Sequence, residues 1–154
     1  MSVTIARGNA DDLESVMEVM SAAFSDEYGE AWTRSQCSGI LPMPGVKLAL
    51  ARDSGESVVG FSLYRTIAGD SELLLLAVTP ASQGDGIGRM LLDHFIADSK
   101  ADGASAIHLE VRDGNPAIRL YEHAGFERAN RRRNYYRGRG GQYDALTFVL
   151  SDKS

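Results

Sequence analysis

One stretch of the sequence, residues 72–101, limits the possible folds more than any other. An apolar run at residues 73–78 leads into the glycine-rich stretch Gln83-Gly84-Asp85-Gly86-Ile87-Gly88-Arg89. Apolar residues then recur at helical spacing as far as about residue 101, which is typical of an amphipathic helix. The stretch therefore predicts a strand, a glycine turn and a helix in direct succession.

The start of that helix is predicted to bind an anion. The first backbone N–H groups of a helix have no intrahelical partner and carry partial positive charge, and glycine lets a backbone approach a phosphate closely. These glycines are not followed by the Lys-Ser/Thr pair of a nucleoside-triphosphatase loop, and they lack the Gly-x-Gly-x-x-Gly interval of a dinucleotide fold. A glycine-rich surface turn without a ligand is the alternative.

The sequence before this stretch predicts one helix and a set of antiparallel strands. A weak alternation at residues 3–7 indicates a first strand, and cap residues from Asn9 precede an apolar helical stripe that runs to about Phe24. Residues 25–43 give mixed signals, with a possible short helix at 32–36. Three antiparallel strands are predicted at residues 46–52, 58–65 and 73–78.

Residues 106–112 alternate with period two and predict a strand parallel to residues 73–78. Glu110 lies in the middle of this strand, where a carboxylate is costly unless it is paired or functional. The sequence allows two interpretations of Glu110. It forms an ion pair with a neighbouring arginine, or it is a general base whose pKa is raised by burial. His108 lies on the same predicted strand face and could share or replace the role of base.

The last third of the sequence predicts a helix between two further strands. A turn at residues 113–116 precedes a short helix that ends at Gly125, and Phe126 opens a strand. Residues 143–150 form the last predicted strand, which would pair antiparallel with residues 126–130 or a neighbour.

Length and composition predict one domain, residues 1–154. A chain of 154 residues with 44% hydrophobic residues can bury a core without disulfides. The single Cys37 excludes an intramolecular disulfide and a cysteine-based metal cluster, which fits a cytoplasmic protein. No stretch approaches the roughly 20 apolar residues that cross a bilayer, and the first residues do not resemble a signal peptide. We expect a cytoplasmic protein without a membrane partner.

The net charge of −5 argues against a general nucleic-acid binder. Six arginines nevertheless lie between Arg128 and Arg139, interleaved with Asn134, Tyr135 and Tyr136. Such a run could contact RNA, but the favoured interpretation is a solvated loop and strand edge that helps to hold phosphates or an acidic substrate. Tyr135 and Tyr136 are predicted to lie in a loop near the cleft.

Two motifs give the chain its resemblance to a known family. Gln83, Gly86 and Gly88 match the pattern Gln/Arg-x-x-Gly-x-Gly/Ala, and residues 120–126, Leu-Tyr-Glu-His-Ala-Gly-Phe, match the latter half of a second signature. The chain thus resembles the GNAT superfamily of N-acetyltransferases. Residues 109–112 and 132–136 are similar to the bacterial ribosomal-protein-alanine N-acetyltransferases within it. The interval from Asn115 to Tyr121 is one residue shorter than the family pattern.

The resemblance implies an α/β (α+β) GNAT fold, in which a mixed, mostly antiparallel twisted sheet of about six to seven strands has helices on both faces and a splayed cofactor cleft. It implies acetyl-CoA as the acetyl donor, direct attack of an amine on the thioester, and no metal. It also implies that Glu110 accepts the amine proton and that Tyr121 protonates the leaving thiolate. The implied cofactor-binding residues are Leu76, Ala77, Val78, Gln83, Gly84, Asp85, Gly86, Ile87, Gly88, Arg89 and Asn115.

The favoured acceptor is the N-terminal α-amine of a ribosomal protein, in an enzyme that is a monomer or a homodimer. Because an α-amine has a pKa of about 7.7–8.0, against about 10.4 for lysine, a modest base suffices to deprotonate it. A small-molecule amine or a lysine side chain is the alternative acceptor. A non-catalytic acyl-CoA-binding module is the second alternative.

Overall fold

The computed structural model describes residues 2–150; Met1 and residues 151–154, which the single-domain prediction includes, lie outside the described residues. The strands are β1 (Thr4–Gly8), β2 (Val46–Arg52), β3 (Val58–Ile67), β4 (Asp70–Val78), β5 (Ala106–Arg112), β6 (Phe126–Gly138) and β7 (Gly141–Leu150). The helices are α1 (Leu13–Ala23), α2 (Arg34–Ile40), α3 (Ile87–Ala101) and α4 (Ile118–His123), with 3₁₀ turns at Ala10–Asp12 and Pro80–Ser82.

The seven strands form one sheet in the order β1-β2-β3-β4-β5-β7-β6. The pair β4–β5 is parallel, and the other five neighbouring pairs are antiparallel. Helix α3 connects the two parallel strands, as a strand-helix-strand unit requires. The predicted mixed, mostly antiparallel sheet of about six to seven strands is confirmed.

Local signals explain where the first two helices begin. The Asn9 side chain accepts a hydrogen bond from the Asp11 N–H at 2.8 Å and opens the turn that leads into α1. Thr33 and Gln36 form a capping box that begins α2, which therefore starts later than the predicted short helix and runs on to Ile40. Asn9 thus caps the 3₁₀ turn that runs into α1, whereas Thr33 caps α2 itself.

The helices cover both faces of the sheet, as predicted. Helices α3 and α4 bury Leu91, Leu92, Phe95 and Tyr121 in one apolar cluster, and α1 and α2 bury Val16, Val19, Met20 and Cys37 in the other. Among the residues described, none of the helices is long and apolar enough to cross a membrane.

Strand β6 corrects one prediction. Tyr135 and Tyr136 lie within this strand and not in a loop, because β6 stays paired with β7 as far as Gly138, opposite Gly141. Register shifts interrupt the pairing between Arg128 and Asn130 and between Arg132 and Tyr136, and the pairing resumes after each of them. Since β6 is an edge strand, its charged side chains can stay in water and do not destabilise the sheet. The arginine run is therefore a strand edge.

A gap opens between β4 and β5 in the middle of the sheet. The two strands pair only from Asp70 with Ala106 to Leu73 with Leu109. In the pairing with β3, Leu63 lies opposite Leu75 and Tyr64 opposite Leu73, so Leu74 is an extra residue of β4. Such a bulge bends its strand, and here it comes directly after the last β4–β5 pair. The pairing between β4 and β5 therefore ends where the bulge begins.

Candidate active site

The gap between β4 and β5 is part of a cleft of about 640 Å³. Its walls are the last part of β4, the glycine turn, the end of β5, helix α4 and the segment between α1 and α2. The predicted site residues that line it are Leu76, Ala77, Val78, Gln83, Gly84, Gly86, Ile87, Gly88, Arg89, Glu110, Asn115 and Tyr121. Asp85 is exposed and is not among the lining residues.

Two glycines give the turn its backbone conformation. Gly84 has φ 90° and Gly86, the N-cap of α3, has φ 81°, a region that other residues enter at a cost. A Cβ on either would meet no atom within 4 Å, so backbone conformation and not crowding calls for glycine. Helix α3 has its first hydrogen bond from the Met90 N–H to the Gly86 oxygen at 3.1 Å. The preceding N–H groups of the turn are left for a ligand.

Two further contacts tie the glycine turn to its neighbours. The Gln83 side chain donates a hydrogen bond to the backbone oxygen of Val78 at 3.0 Å, which fixes the turn against the end of β4. A Cβ on Gly88 would lie 3.3 Å from Leu120 Cδ2 of α4. The turn is thus held between β4 and α4, beside the cleft.

Glu110 is the first residue of β5 beyond the last pair with β4. Its side chain is 19% exposed, and its Oε2 lies 3.3 Å from Arg132 Nε and accepts a 3.5 Å hydrogen bond from Thr147 Oγ1. The ion pair that the sequence left open therefore forms. The same carboxylate lines the cleft, so pairing and a role in proton transfer are compatible here.

Tyr121 reaches the cleft from α4. The residue is 6% exposed, and its ring packs edge-on against Phe126 at 6.1 Å between centroids. Burial raises the pKa of Tyr121, and the nearby Tyr136 and Glu30 add to the rise. The phenol is therefore protonated at neutral pH and can donate a proton.

His108 lies apart from this cleft. Its Nε2 is 3.0 Å from Asp70 Oδ2 at the far end of the β4–β5 pair, and it is not among the lining residues. His108 and Glu110 are on the same strand face, but the gap opens only beyond Leu109. The structure brings Glu110, and not His108, to the cleft.

A charged cluster at the wall of the cleft was missed by the sequence analysis. Glu30 Oε1 lies 3.2 Å from Arg112 Nε, and Glu30 Oε2 accepts a hydrogen bond from Asn115 Nδ2 at 2.6 Å. The Arg112 guanidinium stacks 3.6 Å from the ring centroid of Tyr28. Glu30 and Tyr28 lie in residues 25–43, where the sequence has no clear period. No local signal could have identified them.

Backbone contacts hold this segment over the cleft. The N–H groups of Arg139 and Gly140 donate to the oxygens of Asp26 and Glu27 at 3.0 and 2.9 Å. A Cβ on Gly29 would lie 1.9 Å from the oxygen of Arg137, so only glycine fits at that position. The tip of the β6–β7 hairpin thus fixes the segment between α1 and α2.

Tyr136, which the sequence predicted to lie near the cleft, lines it from β6. Its pKa is raised by burial and then by the carboxylates of Glu110 and Glu30. None of the six arginines of β6 and its hairpin lines the cleft. Among residues 2–150, no group of three or more His, Cys, Asp or Glu side chains is arranged to bind a metal ion.

Comparison with known proteins gives a consistent result. The model of the Acetyltransferase (GNAT) family matches residues 13–126. The [ribosomal protein bS18]-alanine N-acetyltransferase of Salmonella typhimurium is 38% identical over 104 residues, which cover 67% of this chain and 70% of that enzyme. The Escherichia coli K12 enzyme of the same name is 38% identical over 94 residues, or 60% of this chain and 64% of its own length.

A third relative and a solved structure match nearly the whole chain. N-alpha-acetyltransferase RimI of Mycobacterium tuberculosis is 33% identical over 150 residues, covering 94% of this chain and 90% of that protein. The crystal structure of the ribosomal-protein-S18-alanine N-acetyltransferase from Escherichia coli superimposes with a TM-score of 0.87 at 29% identity, over 97% of this chain and 93% of that one.

Proposed function

The chain belongs to the acetyltransferase (GNAT) family, and we propose that it transfers the acetyl group of acetyl-CoA to the N-terminal α-amine of a ribosomal protein. The observation that carries this proposal is that one cleft joins the glycine turn, the end of β4, Glu110 and Tyr121. The names of the relatives from Salmonella typhimurium and Escherichia coli, which are ribosomal-protein-alanine N-acetyltransferases, support this choice of acceptor.

We propose that the glycine turn binds the pyrophosphate of acetyl-CoA through the free N–H groups at the start of α3. The residues at the end of β4 bind the pantetheine arm and the thioester, since their strand edge is left unpaired by β5. The proposed residues are Leu76, Ala77, Val78, Gly84, Gly86, Ile87, Gly88 and Arg89, with Gln83 shaping the turn. The roles of Asp85 and Asn115 stay predictions from the family resemblance.

In the proposed reaction, the amine nitrogen attacks the thioester carbonyl carbon and Glu110 takes the proton that the nitrogen must lose. The C–S bond then breaks, and Tyr121 gives its proton to the thiolate as the sulfur leaves. An α-amine, with its pKa of about 7.7–8.0, is partly neutral at physiological pH, so a carboxylate suffices as the base. No covalent enzyme intermediate is required.

The experiment that tests the proposal compares two peptides of one sequence with labelled acetyl-CoA. One has a free N-terminal alanine, and the other is N-terminally blocked and contains lysine. We expect label on the first peptide alone. Label on the second alone would replace the N-terminal acceptor by lysine. Label on neither, with acetyl-CoA still bound, would favour a small amine or a non-catalytic acyl-CoA-binding protein.

A further inference from the structure

We propose that Arg132 is a positioning residue for the proposed base: it holds one oxygen of Glu110 and leaves the other free to accept the amine proton. The inference rests on the proposed function. Its evidence lies in the register of three strands, in the contacts of the two side chains and in the pairing of the neighbouring arginines.

The register places Arg132 and Glu110 on one face of the sheet. Glu110 of β5 pairs with Thr147 of β7, and Arg132 of β6 pairs with Ala145 of β7. Since Ala145 and Thr147 are two residues apart on one strand, their side chains share a face. Arg132 and Glu110 therefore lie on the same face of the sheet, on the two strands that flank β7 and about 10 Å apart in the strand-to-strand direction, so their side chains meet over β7.

Both contacts of Glu110 end on the same oxygen. Arg132 Nε lies 3.3 Å from Oε2, and Thr147 Oγ1 donates to Oε2 at 3.5 Å. Within residues 2–150, Oε1 has no hydrogen-bond donor. A carboxylate held in this way has a fixed orientation and one free acceptor oxygen, as a general base needs.

The Arg132 side chain is itself held by aromatic rings. Its guanidinium carbon lies 4.8 Å from the ring centroid of Tyr135, a distance at which cation and ring attract each other. Tyr135 in turn packs edge-on against Tyr136 at 5.1 Å, and Tyr136 lines the cleft. Although the Arg132 side chain is 58% exposed, its contacts with Glu110 and Tyr135 fix the position of the guanidinium.

A second arginine could compete for Glu110 but is occupied. Arg112 lies two residues further along β5, on the same strand face as Glu110. Its Nε faces Glu30 at 3.2 Å and its guanidinium stacks on Tyr28. Among the described residues, Arg132 is the cation paired with Glu110.

The other arginines of the run provide a matched control. Arg131 pairs with Asp113 and Asp144 at 2.8 and 2.7 Å, and Arg139 pairs with Asp26 at 3.2 Å. Arg128 lies on the same strand as Arg132, is exposed, and has no ion pair within residues 2–150. Arg128→Gln therefore removes the same charge from the same strand without touching Glu110.

The test measures kcat and both KM values for transfer to the alanine peptide in four variants: Arg132→Gln, Arg128→Gln, Glu110→Gln, and Arg132→Gln combined with Glu110→Gln. Because the ion pair with Arg132 helps to fix the orientation of the Glu110 carboxylate, Arg132→Gln should lower kcat about 10-fold through misplacement of the base. The KM for acetyl-CoA should stay unchanged, and Arg128→Gln should match the parent. In the Glu110→Gln background, the loss of Arg132 should have no further effect, because the two residues act as a unit.

The outcomes separate this inference from the proposed function. If the parent enzyme does not acetylate the alanine peptide, the proposed function fails. If the parent acetylates it and Arg132→Gln keeps its kcat, only the positioning role fails. An equal loss of kcat from Arg132→Gln in the parent and in the Glu110→Gln background would also overturn it, since Arg132 would then act on the fold or on the acceptor.

Discussion

Glu30 and Arg112 form an ion pair at the wall of the cleft, with 3.2 Å between Oε1 and Nε and with side chains only 10% and 8% exposed. Asn115 donates to the other oxygen of Glu30, and Arg112 donates to the backbone oxygen of Asp113 at 3.1 Å. The pair therefore joins the segment between α1 and α2 to the end of β5. This contact links a segment without a clear sequence pattern to the strand that presents Glu110.

The first prediction concerns the stability that depends on this pair. Glu30→Gln should lower the free energy of unfolding by about 3–5 kcal/mol, because it leaves the buried Arg112 without a counter-charge. The measurement is urea unfolding at constant m-value. Glu14→Gln is the control: Glu14 pairs with Arg34 on the surface, and exposed pairs contribute little, so its midpoint should match the parent. Equal midpoints for the two variants would show that the buried ion pair contributes no more to the free energy of unfolding than the exposed pair does.

The second prediction concerns the proposed base. Glu110→Gln should lower kcat by about 10²–10⁴-fold, as expected for loss of a general base, while the dissociation constant of acetyl-CoA stays nearly unchanged. Isothermal titration and steady-state assays measure the two quantities. Glu127→Gln, on the exposed start of β6, is the control. Unchanged turnover in Glu110→Gln would leave water as the favoured proton acceptor, since His108 lies against Asp70.

Much of the scaffold could be predicted because its signals are local. The alternation at residues 106–112 and the apolar run at 73–78 belong to single strands, and a helix between two such strands makes them parallel neighbours. Strands β2 and β5 have the predicted bounds. The glycine turn also depends on local chemistry, since Gly84 and Gly86 both have positive φ.

Other parts of the site depend on contacts between distant segments. The gap begins at the Leu74 bulge, which becomes visible only from the pairing of β4 with β3. Glu30 reaches Arg112 because the β6–β7 hairpin holds its segment in place. Tyr135 and Tyr136 lie in a strand because β7 supplies a partner for a polar stretch. Periodicity along one segment contains none of this information.

The third prediction concerns alkaline pH. Burial raises the pKa of Tyr121 above its usual value of about 10, and burial and Asp98 do the same for Tyr64. Above pH 10 the unfolded chain therefore loses protons that the folded protein keeps, so the free energy of unfolding is unaffected below pH 10 and falls as the pH rises beyond it. Urea unfolding between pH 8 and 11 measures the slope. Tyr121→Phe should make the slope shallower; an unaltered slope would contradict the assignment.

The fourth prediction concerns the glycine turn. Gly86→Ala should weaken acetyl-CoA binding and destabilise the fold by about 1–2 kcal/mol, because alanine pays for the left-handed conformation that Gly86 has at φ 81°. Crowding cannot cause the loss, since a Cβ there meets no atom within 4 Å. Gly39→Ala is the matched control: Gly39 lies in α2, has equally open space around it, and should gain stability without a change in binding. If Gly86→Ala, Gly39→Ala and the parent have the same dissociation constant for acetyl-CoA, the proposal that this turn binds the pyrophosphate is wrong.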